Sequence, residues 1–291
     1  MKTYELPCIG PQHVRIPKEL RDAYCELFTS VRDNYPDAKL SRFFPLQGEY
    51  YDDATQLSRT TPFDNLDFAN VKENEKYLEP AVKLMVVGRS VNGWTNLSES
   101  SAKNFSMAAT LELMSDKGFS WLRNDGQGKD TYIREDDGME CRYNINKSAF
   151  FRAIRNILRE LKPVSRYQDR WFENIVWNNL YPIAPTSSGN AEGKLQNVQL
   201  EICKKLLVQQ IDFYKPTHIL FITDWDYWFE RFSDIFPNVT KTGNTQTDNV
   251  VGYGKHQNSK VVVSIRPDRT KPNKPNEELF AQDIVAYFDK I

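Results

Sequence analysis

LQNVQLEICKKLLVQQIDFYKPTHILFIT, residues 195–223, sets a helical segment ending near Tyr214 directly before THILFIT, an apolar run of strand length. Three further runs repeat the pattern: KLMVVG at 83–88, NIVWNNLYP at 174–182 and KVVVSI at 260–265. Between and beyond them lie helical candidates at about 98–117, 147–161, 224–236 and 276–290. Short apolar runs alternating with amphipathic helices are how a parallel sheet covered by helices reads in sequence, so an α/β fold is expected. The helical spacing supports this. Phe150, Phe151, Ile154, Ile157, Leu158 and Leu161 form one stripe, and Leu279, Phe280, Ile284, Tyr287 and Phe288 form another, both expected to face a core.

The first 80 residues have a different texture. A helix is predicted over 17–34, because Pro17 suits a first turn and Leu20, Ala23, Tyr24, Leu27, Phe28 and Val31 share a face. From Glu49 to Glu79 eight acidic residues, Asp52 and Asp53 among them, stand against three basic ones, which reads as a solvated segment. The polar stretch at 123–146 suggests a hairpin about Asp137-Gly138, since Asp-Gly is a strong tight-turn signal.

The chain has 291 residues, 40% hydrophobic and 26% charged, with a formal charge of −1. That is a globular composition, and it excludes a disordered chain or one that holds nucleic acid through bulk charge. Charge is nevertheless segregated. From Lys255 to Lys274 six basic residues face a single acid, Asp268, and such a cluster suits phosphate. Cys8, Cys25, Cys141 and Cys203 lack the close spacing of a zinc or redox motif and read as reduced, mostly buried thiols. No signal-like start and no apolar stretch of membrane length is present, so a cytoplasmic location is the default expectation. On that expectation the sequons at Asn96, Asn104, Asn146 and Asn238 are chance matches.

Some motifs fail on inspection. GNAEGK, 189–194, has three residues between its glycines instead of the four of a P-loop, and Leu195 follows its lysine. GYGKHQ, 252–257, lacks the third glycine of a dinucleotide fingerprint. His13, His218 and His256 share no helical face or short loop, so no metal site is expected, and no cofactor is implied. Asp224 and Asp226 follow THILFIT, where an open sheet places its ligand crevice. Asp224 reads first as the N-cap of the helix expected at 224–236, with a chemical role as the alternative.

Ordered blocks of the chain resemble the uracil-DNA glycosylase superfamily, most closely its single-strand-selective monofunctional branch. KLMVVGRSVNGW, 83–94, is similar to that branch's apolar strand ending in Gly-Met-Asn-Pro-Gly, with Gly88 at the glycine, Ser90 at the catalytic Asn and Val91 at the Pro. WNNLYPIAP, 177–185, resembles His-Asn-Leu-Cys-Pro and puts Asn179 at the base-reading asparagine. VVVSIRPDRTKPNKPNE, 261–277, resembles the strand and loop of the His-Pro-Ser motif, with Arg266 at the His and Asp268 at the Ser. NKSAFFRAIRNILREL and the quoted 195–223 stretch are similar to the helices and strand between these motifs.

The resemblance covers about residues 81–291 and implies a three-layer α/β/α sandwich with a short central parallel sheet, extended at its N-terminus by residues 1–80. It implies hydrolysis of the N-glycosidic bond of uracil or a modified uracil in DNA. Asn179 would read the base, Ser90 and Arg266 would stand at catalytic positions, and Trp94 or Phe105 would stack on the base. Arg269, Lys271 and Lys274 would meet the DNA backbone. DNA, single- or double-stranded, or a nucleotide is thus the expected partner, with no membrane and no obligate protein partner. An Arg supplies charge and donors but exchanges no proton at neutral pH, and a Ser is shorter than the Asn it replaces. Two other readings therefore stay open: a nucleotide- or nucleic-acid-binding module on the same fold, and a hydrolase of another small substrate.

Overall fold

The structure is a computed structural model. It describes residues 5–6, 14–15, 18–35, 40–42, 46–47, 82–90, 131–133, 140–142, 148–161, 175–185, 190–191, 193–243, 249–267 and 277–291. The described elements begin with β1 (Glu5–Leu6), β2 (Val14–Arg15), α1 (Lys18–Asn34), β3 (Leu40–Arg42) and β4 (Leu46–Gln47). There follow β5 (Leu84–Ser90), β6 (Thr131–Ile133), β7 (Glu140–Arg142), α2 (Ala149–Leu161), β8 (Ile175–Tyr181) and β9 (Ile183–Pro185). The C-terminal part holds α3 (Gly193–Tyr214), β10 (His218–Ile222), a 3-10 helix (Phe229–Ile235), β11 (Val239–Lys241), β12 (Val250–His256), β13 (Ser259–Ser264) and α4 (Glu277–Lys290).

All four apolar runs are strands, and they lie together. The sheet order is β11-β12-β13-β10-β5-β8-β4, six strands of three or more residues plus the two-residue β4. β13, β10, β5 and β8 are mutually parallel, whereas β12 and β11 extend one side and β4 the other in antiparallel pairing. The parallel strands are continuous apolar runs because both faces are covered. On β8, Trp177 packs its ring 5.1 Å from Phe151 of α2, while Asn178 reaches Gln210 of α3, so successive residues meet helices on opposite faces. With α1 packed on α3 and α4 on α2, the chain is an α/β protein whose mixed sheet carries helices on both sides, consistent with a three-layer α/β/α arrangement.

The helical stripes dock as their spacing predicts. Leu20, Ala23, Tyr24, Leu27, Phe28 and Val31 are all buried, as are Phe151, Ile154, Ile157 and Leu158 of α2. On α4 the core takes Phe280, Ala281, Ile284 and Phe288, but Leu279 is 53% exposed and leaves the stripe assigned to it. Arg152 clasps Glu277 through Nε at 2.8 Å and Nη2 at 2.6 Å, tying α2 to the first turn of α4. β6 and β7 pair antiparallel, as a hairpin about Asp137-Gly138 requires, although those two residues lie outside the described ones. The helix expected at 98–117 also lies outside them.

The segment 224–236 departs from expectation. It is a tight turn followed by the 3-10 helix, which starts at Phe229. Phe229, Phe232 and Ile235 recur every third residue, the repeat of a 3-10 rather than an α-helix, and the first two are fully buried. Cys203 is buried but Cys25 is exposed on α1, so the burial expected of the thiols holds for one of the two described. Among the described residues no helix is long and apolar enough to cross a membrane.

Candidate functional site

In an open parallel sheet the crevice lies beyond the carboxyl ends of the strands. Here those ends present Gly88, Arg89 and Ser90 from β5, Asn179 and Tyr181 from β8, Thr223 and Asp224 after β10, and Arg266 after β13. Gly88 and Asn179 are register partners on adjacent strands. The Asn179 side chain lies across Gly88: a Cβ there would stand 2.6 Å from Asn179 Oδ1 and 3.7 Å from the Phe150 ring. The glycine is thus required by close approach. Asn179 is only 6% exposed, and its Nδ2 has no hydrogen-bond partner in the structure. A buried amide donor without a protein partner costs free energy unless an acceptor reaches it.

Its neighbour behaves in the opposite way. Asn178 Nδ2 donates to Gln210 Oε1, and Gln210 Nε2 donates to Tyr24 Oη at 2.7 Å. Asn178 therefore fastens β8 to α3 and α1, whereas the Asn179 Nδ2 makes no such bond. Strand alternation sends adjacent residues to opposite faces, but no local pattern in the sequence foreshadows Gln210 or Tyr24 as partners.

Ser90, the register partner of Tyr181, is engaged. Its Oγ donates to Asn190 Oδ1 at 3.2 Å and accepts the Ala191 N–H at 3.2 Å, joining β5 to the segment that precedes α3. Asn190 escaped notice in the sequence because it sits in the failed P-loop stretch. Tyr181 buries its hydroxyl without a hydrogen-bond partner between the rings of Trp228 and Phe232, and burial pushes the phenol pKa well up.

Asp224 is not a helix cap. It has φ +66°, its carboxylate pairs with Arg89, and the 3-10 helix begins five residues later, preceded by Trp228 with no side-chain cap. Arg89 also donates from Nε to the Thr223 carbonyl at 2.9 Å and lies 5.0 Å over the Trp228 ring. This clamp fixes the end of β10 against β5, and neither member was assigned a role with the other from sequence.

Arg266 is exposed just beyond β13, with Pro267 buried behind it. The described basic residues of the stretch 255–274 do not lie together. Lys255 and Lys260 are register partners at the start of β13, and Lys260 Nζ donates to the Phe288 carbonyl at 2.7 Å near the end of α4. Arg266 stands six residues further on, roughly 20 Å along an extended strand. A lysine at a helix C-terminus satisfies a free carbonyl and the helix dipole, so Lys260 serves α4. Trp94, Phe105, Arg269, Lys271 and Lys274 lie outside the described residues, as do Val91 and Asp268. No group of three His, Cys, Asp or Glu side chains placed to hold a metal occurs among the described residues.

The structure thus brings Gly88, Ser90 and Asn179 together at one end of the sheet and puts Arg266 at that same end, two strands from Ser90. Such an arrangement offers a shape-restricted amide donor, a hydroxyl already bonded on both sides, and a permanent cation. No protein-family model matches the chain, and no curated protein matches it.

Proposed function

We propose that the chain is a uracil-DNA-glycosylase-like protein that takes an extruded uracil-type base into the crevice at the carboxyl end of the sheet and hydrolyses its N-glycosidic bond. The observation that carries this reading is Asn179, buried across Gly88 with its Nδ2 unpaired. An amide presents a donor and an acceptor side by side, which complements the O4 and N3–H edge of uracil. Cytosine carries an amino donor and a bare ring nitrogen there and would set donor against donor. Water would add at C1′ as the C1′–N bond breaks, with the bonding pair leaving on the base. Arg266 supplies fixed positive charge toward that anion, an effect worth about 3–4 kcal/mol for one well-aimed donor, and the base takes its proton from solvent. No cofactor enters this chemistry, and a cytoplasmic location fits it.

A second reading is favoured by one observation. Ser90 spends its hydroxyl on Asn190 and Ala191, so the position that would hold the attacking water is already committed. On that reading the protein binds a base or nucleic acid without cleaving it.

The test uses single- and double-stranded oligonucleotides carrying uracil, hydroxymethyluracil or hypoxanthine, with abasic sites as readout. Release by the wild type, lost in Asn179→Ala and strongly reduced in Arg266→Ala, is the expected result. Salt-dependent binding with no release selects the binding module, and neither binding nor release removes both readings.

A further inference from the structure

The turn that leaves β10, Asp224-Trp225-Asp226-Tyr227-Trp228, contains three aromatic residues treated in two ways. Trp225 and Trp228 are buried. Trp225 packs 4.9 Å from the Phe229 ring and fills the space over Gly252, where any Cβ would collide with the indole. Trp228 lies beneath the Arg89 guanidinium and beside the Tyr181 ring. Between these anchors Tyr227 is 81% exposed, the most exposed large apolar side chain described.

Its backbone is strained as well. Tyr227 has φ +65°, in the left-handed region that disfavours a bulky side chain most of all, and Asp224, of a type that tolerates that region, has φ +66°. Such strain persists only where the surroundings over-determine it, and it collects at functional sites. Here the surroundings are the Arg89–Asp224 ion pair, the Arg89 bond to the Thr223 carbonyl, the two tryptophan anchors and a 2.5 Å pair between Lys241 and Asp226.

We propose that this turn is a rigid mount for Tyr227, and that the Tyr227 ring stacks on a base of single-stranded DNA flanking the base held at Asn179. This rests on the reading of the site as a DNA base pocket. A tyrosine face accepts any base, which suits a flanking contact that must tolerate sequence. Asp224 and Asp226 each pair with a cation, which reduces the repulsion a phosphate chain meets at the tip. β10 is two strands from β8, about 10 Å, and ends at the same side of the sheet, within reach of one strand that also enters the pocket.

The test is fluorescence anisotropy of the full chain with a labelled oligothymidylate and with an abasic-spacer oligonucleotide of equal length and charge. Tyr227→Ala is expected to weaken oligothymidylate binding roughly tenfold and to leave the spacer unchanged. Tyr227→Trp is expected to bind as the wild type. Tyr227→Gly removes ring and strain together, so it is expected to lose affinity without a lower Tm, which separates stacking from folding. Equal binding by wild type and Tyr227→Ala, an equal loss on both oligonucleotides, or no binding by the wild type overturns the proposal. Uracil release that ignores Tyr227→Ala but is lost in Asn179→Ala overturns the mount alone. Tyr227-dependent binding with no release retains the mount and removes the glycosylase reading.

Discussion

A Cβ on Gly88 would stand 2.6 Å from Asn179 Oδ1, closer than real Cβ contacts come, so the amide must move to admit it. Gly88→Ala is therefore expected to displace the Asn179 amide and to lower stability by about 1–3 kcal/mol, the cost of overpacking a filled site. Urea denaturation reads the stability. Binding of a uracil oligonucleotide reads the amide, and it is expected to fall as far as in Asn179→Ala. Both residues were legible in the sequence because each sits at a strand end in a motif-like block. Asp224 was misread for a physical reason. An aspartate before an apolar segment has the local signature of a cap, but its partner Arg89 lies 135 residues away, and no local pattern encodes that distance.

At the scale of elements, amphipathic spacing identified α1, α2, α3 and α4 to within two residues at each end, since each buries one face on the sheet or on another helix. The longest strand it missed is β12. Gly252 and Gly254 interrupt its alternation, because one makes room for Trp225 and the other for the Asn238 carbonyl of the approaching chain. The polar chain Asn178–Gln210–Tyr24 was equally hidden, since a buried glutamine within a helix looks like a surface one. Gln210→Leu keeps the volume but leaves Asn178 Nδ2 buried without its acceptor, and is expected to cost about 1–3 kcal/mol in thermal or urea unfolding. Uracil release is expected to survive this change, because Asn179 faces the other side of the sheet.

Over the whole molecule, the formal charge of −1 conceals segregation along the sequence, and among the described residues Lys255 and Lys260 lie apart from Arg266. Lys260 is committed to α4 near its C-terminus, and Arg266 stands at the far end of β13 from Lys255. A pH dependence follows from His256, whose ring packs 4.7 Å from Phe236 and whose Nε2 is buried without a hydrogen-bond partner. Burial lowers its pKa below the ordinary 6.5, against a smaller opposing pull from Asp212. In that window the unfolded chain binds more protons than the folded one. The stabilisation is therefore whole above about pH 6.5 and is lost as the pH falls through the depressed folded value. Thermal unfolding between pH 7.5 and 5 is expected to show Tm falling on the acid side, with a flatter profile in His256→Gln.

On the proposed function Asn179 presents an unpaired amide to a uracil-type base, and the side-chain amide resonances of Asn179 report on it without requiring turnover. Assigned by comparison with Asn179→Ala, that NH2 pair is predicted to shift when a deoxyuridine oligonucleotide is added and to stay in place with its deoxycytidine counterpart. An Asn179 pair that ignores both, or moves equally with both, contradicts the account.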